Sequence, residues 1–125
     1  MKIGGRVAIA VSLFLLVGGT LFAHHSHSTF DVSKEVTVEG TVTKVIWTNP
    51  HSLLFVDVKG ATDVKKWSLE GPSPTGLARG GWTKDSIKVG DKITATGNPS
   101  RSGSPMILVK DVVTSEGKRF SASPN

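Results

Sequence analysis

Val36-Thr37-Val38-Glu39-Gly40-Thr41-Val42-Thr43-Lys44-Val45-Ile46-Trp47, followed by Thr48-Asn49-Pro50-His51, decides the fold. Val36, Val38, Gly40 and Val42 alternate with Thr37, Glu39, Thr41 and Thr43, the period of a half-buried strand rich in β-branched residues. The apolar phase then slips by one, because Val45 and Trp47 are odd-numbered. A one-residue slip is the mark of a β-bulge, and Gly40 offers a place to bend. Thr48-Asn49-Pro50 stops the strand with a turn.

The same period recurs downstream. Strands are predicted over 53–58 and 65–70, joined by the loop 59–63, with Trp67 and Leu69 on one face. Gly71-Pro72-Ser73-Pro74 ends that pattern. A short helical turn fits 73–79, and a second short turn fits 82–87. A fourth strand spans 92–97 and a fifth 106–113, separated by a Gly, Ser and Pro-rich loop over 98–105. The fifth has its own phase break at Lys110-Asp111, and 118–120 adds a short edge. The predicted fold class is all-β: a small five- to six-stranded antiparallel OB-like barrel with one short helical connection. A five-stranded sandwich is the alternative.

Ahead of this domain, Lys2 and Arg6 precede an apolar run over 7–17 that ends near Leu21-Phe22-Ala23. That is the pattern of a secretory signal peptide over 1–23, helical in its apolar part and too short to span a bilayer comfortably. The expected organisation is this leader, a polar His-rich arm over 24–34, the barrel domain over 35–120 and a frayed tail over 121–125. A periplasmic or secreted location follows after cleavage. The formal net charge of +5 falls by two without the leader, and no basic cluster marks a nucleic-acid surface. The chain has no cysteine, which excludes thiol catalysis, iron–sulfur clusters and cysteine-ligated zinc.

Chemistry concentrates in two places. Three of the four histidines, His24, His25 and His27, follow Ala23 directly. A cut after Ala23 frees an N-terminal histidine, whose α-amine and ring chelate together, a nitrogen-rich set that suits Cu(II). The fourth, His51, closes the Trp-Thr-Asn-Pro turn and completes a candidate metal set of His24, His25, His27 and His51. The competing reading of the arm is a solvated tract that binds metal only as a purification tag does. For the turn, the competing reading is an Asx-type turn on Asn49. Glu70, after the inward Trp67, is either a ligand or base or the partner of Arg79 in a surface ion pair. Trp47, Asn49 and Glu70 together outline a candidate binding surface; all three tryptophans are expected to fill the core.

These residues resemble a family of small exported bacterial proteins known only as a domain of unknown function. The resemblance rests on His-His-Ser after the leader and on Val-x-Val-x-Gly-x-Val-x-x-Val-x-Trp-Thr-Asn-Pro-His. It continues through Trp67 with Glu70, Gly80-Gly81-Trp82-Thr83-Lys84-Asp85 and Lys88-Val89-Gly90-Asp91 to 94–97. His27 departs from the pattern. The resemblance implies an exported OB-like protein of Gram-negative bacteria and carries no activity. No hydrolytic motif or phosphate-binding loop is present, so the chain reads as a binding protein rather than an enzyme. Its expected partner is copper or another transition metal. The alternative is an envelope protein, glycan or small ligand.

Overall fold

The structure, a computed structural model, describes residues 29–122. Strand β1 (Val36–Ile46) is long because it serves two neighbours. Its first half pairs with β4 (Lys92–Pro99), from Val36 opposite Gly97 to Thr41 opposite Lys92. Its second half pairs with β2 (Ser52–Lys59), from Thr41 opposite Asp57 to Ile46 opposite Leu53. The predicted phase slip is present, between Val42 and Lys44. Gly40 answers a different need. A Cβ there would collide with the Asp57 carbonyl and Val56, so the glycine lets β2 cross close to the bend.

β2 buries Leu54 and Val56 and pairs in full register with β3 (Val64–Gly71). The helix α1 (Pro74–Arg79) follows, with Ser73 as its N-cap: its Oγ accepts the Gly76 N–H at 3.2 Å. Pro74 suits the first turn, where the missing N–H costs nothing. Leu77, Trp82 and Ile87 from this connection close one end of the core, together with Val38, Val42, Leu69 and Ile107. The 82–87 stretch is a run of turns, tied by the Thr83 N–H donating to Ser86 Oγ at 2.7 Å.

β5 (Met106–Thr114) pairs antiparallel with β4 and, over three residues, parallel with β3. Those three pairs, Ser68–Met106, Leu69–Ile107 and Glu70–Leu108, close the barrel in the order β1-β2-β3-β5-β4. That circuit, with a helix between β3 and β4, is the OB-like arrangement. Lys110 is the extra residue at β5's phase break: Val109 faces Gly97 while Asp111 faces Thr96. β6 (Arg119–Ser121) takes the β5 edge beyond the reach of β3. The Trp82 indole N–H donates to the Ser121 carbonyl at 2.7 Å and its ring lies 5.0 Å from Phe120, fixing β6 to the capped end.

The domain reaches further at both ends than the predicted 35–120. Phe30 is fully buried, bridges Ser100 and sits apart from the main core cluster. The Asp31 N–H donates to the Pro99 carbonyl and the Arg101 N–H to the Thr29 carbonyl. The Asn98 amide donates to the Lys34 carbonyl at 2.7 Å. The described part of the arm, from Thr29, is therefore seated beside β4. At the other end Ser121 belongs to β6 and Ala122 is buried, its N–H donating to the Lys110 carbonyl. The predicted leader and His24, His25 and His27 lie outside the described residues. Among the described residues no helix is long and apolar enough to cross a membrane.

Candidate functional site

The β1–β2 turn carries Trp47, Thr48, Asn49, Pro50 and His51, with a cis peptide bond between Asn49 and Pro50. Asn49 is exposed, and its side chain forms no Asx-type bond among the described residues. Beyond the turn, Ser52 pairs with Gly71 and Leu53 with Glu70. The Ser52 N–H also donates to the Pro72 carbonyl at 3.1 Å. This ladder brings the end of β3 against the start of β2 and sets two sequence-selected residues side by side.

His51 Nδ1 lies 3.6 Å from Glu70 Oε1. The partner of Glu70 is thus His51, not Arg79. The histidine side chain is 43% exposed and the glutamate 18%, so an open ring rests on a more sheltered carboxylate. An imidazole beside a carboxylate can relay a proton or bind a metal. Alone the pair is an incomplete metal site: no group of three His, Asp or Glu side chains meets among the described residues.

Trp47 is half-buried and packs on the core, as does Trp67, while Trp82 is buried. Core filling therefore holds for all three. Trp47 and Trp82 line a narrow apolar slot at the capped end, with Leu54, Leu69, Leu77 and Ser52. Its interior space is about 20 Å³, room for one water and far below a ligand cavity of a few hundred Å³. The slot is packing space, and the open chemistry lies at His51.

Two features escaped the sequence reading. Phe30 is the anchor of the arm, and a lone aromatic in a polar stretch was its signal. The outer wall of the barrel is the other. Leu53 and Phe55 face Glu70 and Ser68 across β2–β3, and Leu108 and Met106 face the same two residues across β3–β5. These four apolar side chains are half-buried and alternate with the buried Leu54, Val56, Ile107 and Val109.

A model for a family described as of unknown function (DUF6152) matches residues 13–108. The matched span includes the histidine run, the β1–β2 turn and Glu70, and it ends within β5. No curated protein matches the chain.

Proposed function

We propose that this chain, which belongs to the DUF6152 family of unknown function, is an exported barrel that binds a transition metal, copper foremost, with His24 and His51. Removal of the leader after Ala23 would make His24 the first residue and supply an amine and a ring nitrogen together. His25 and His27 stand in reserve on the same arm, and His51 is the barrel's ligand.

The observation that carries this reading is the seating of Phe30 and Thr29 beside the end of β4, which fixes where the arm starts. Glu70 faces Leu108 on β5, and Leu108 faces Asn98 on β4. From the arm to β3 is three strand spacings and, because Thr29 lies opposite Arg101, about three residues along the strand as well, roughly 17 Å in all. His24 is five residues before Thr29, a reach of about 17 Å. His27 is two residues before it and reaches about 7 Å. Length therefore favours His24 as the partner of His51.

Cu(II) titration against a competing chelator tests this on protein whose first residue is His24. Binding should be far tighter than to a generic His-tag. It should weaken at least tenfold in His51→Ala and in protein with one extra residue before His24. Tag-like affinity, or indifference to both changes, overturns the reading.

A second reading has its own observation. Leu53 and Phe55 on β2 and Met106 and Leu108 on β5 flank Glu70 and Ser68 on the outer wall, where an envelope protein, glycan or small ligand would lie. Loss of such a partner in Phe55→Ser without loss of copper binding would favour it.

A further inference from the structure

We infer that Glu70 is the positioning residue of His51: it holds the Nδ1 side of the ring and leaves Nε2 as the nitrogen offered to a metal. The inference rests on the proposed role of His51 as a ligand.

The two ring nitrogens of histidine are not equivalent, and the partner of one decides what the other does. Here Nδ1 faces the Glu70 carboxylate at 3.6 Å. That separation is longer than a hydrogen bond, and it makes Nδ1, on the carboxylate's side of the ring, the nitrogen that a small turn of the ring would bring to Glu70 Oε1. The opposite nitrogen, Nε2, is then the free donor atom on a 43% exposed side chain. Metal-ligating histidines characteristically give their second nitrogen to a carboxylate, which fixes the tautomer and raises the basicity of the ligating nitrogen.

Glu70 is well placed for this work. Its backbone is paired on both sides, with Leu53 of β2 and Leu108 of β5, at the seam that closes the barrel. The next pair along the ladder, Ser52 with Gly71, fixes the chain immediately after His51. His51 is also the one basic side chain within ion-pair distance of the Glu70 carboxylate among the described residues. No lysine or arginine competes for its charge there, unlike Asp57 with Lys66 or Glu35 with Lys110.

The experiment has a metal-free arm and a metal arm, using Glu70→Gln and Glu70→Ala. Nitrogen NMR of the metal-free protein reads the His51 tautomer directly. The expected result is a proton on Nδ1 in the wild type, lost as a preference in both variants. Cu(II) affinity should fall 10- to 100-fold in each variant. The same substitutions made on a His51→Ala background should add nothing, as a double-mutant cycle requires of a residue acting through another. An unchanged tautomer, or an equal loss of affinity with and without His51, overturns the inference. If wild-type protein fails to bind Cu(II), the metal reading falls. The tautomer measurement still decides whether Glu70 orients the ring.

Discussion

Ser52 carries the one buried side-chain polar atom without a hydrogen-bond partner among the described residues. Ser52 lines the same slot as Trp47 and Trp82, where the space matches a single water. An unsatisfied buried hydroxyl costs about 1–3 kcal/mol, and removing it relieves that cost. Ser52→Ala should therefore leave the thermal unfolding midpoint unchanged or raise it by a few degrees. A midpoint several degrees lower would mean that the hydroxyl is satisfied. Sequence could not show this, because an alternating strand tolerates serine at an inward position without comment. Gly40 shows the opposite difficulty. Its presence was legible, but its reason was not. The register shift lies where the apolar phase changes, between Val42 and Lys44, and the glycine makes room for a neighbouring backbone.

Strands were the most legible elements. Period two recovered every strand of the barrel, and the break at Lys110 was readable because burial changes phase there. Polar composition hid the arm. Thr29, Asp31 and Arg101 are held through backbone groups, which leave no pattern in side chains. The Asp31 carboxylate adds a local clasp, accepting the Ser33 hydroxyl at 2.6 Å and the Ser33 N–H at 3.1 Å. The hydroxyl bond first, then the N–H, with the charges of Lys34 and Arg101, hold its pKa below the usual carboxylate range. A group with a lowered folded pKa stabilises above its unfolded value, and that contribution disappears as pH falls through the folded value. The arm should accordingly loosen in acid below the ordinary aspartate range and stay seated above it. Hydrogen exchange at the Asp31 and Arg101 amides measures this. Asp31→Asn should remove the pH dependence, and a dependence that persists in Asp31→Asn would assign the clasp to another group.

For the molecule as a whole, the barrel class was legible and the candidate site was only half so. His51 and Glu70 could each be singled out by residue type and by position at a strand end. That they meet depends on the β2–β3 register, which a one-residue slip would have undone. The distance between His51 and the remaining histidines was unreadable, since it depends on where the arm is fastened. Phe30 and Thr29 fasten it beside β4, leaving a tether of five residues from His24 to the domain. If His24 is the mature terminus, as proposed, so short a tether would give it an effective concentration in the millimolar range around the barrel wall. His24 and His51 would then act as one chelating ligand rather than two. On that reading the tether is nearly taut, so a first Gly-Ser pair inserted between residues 28 and 29 should hold or raise Cu(II) affinity, and longer insertions should lower it gradually, about as the −3/2 power of tether length. The buried phenylalanine, remote from any metal, would set the affinity by setting the length of the leash.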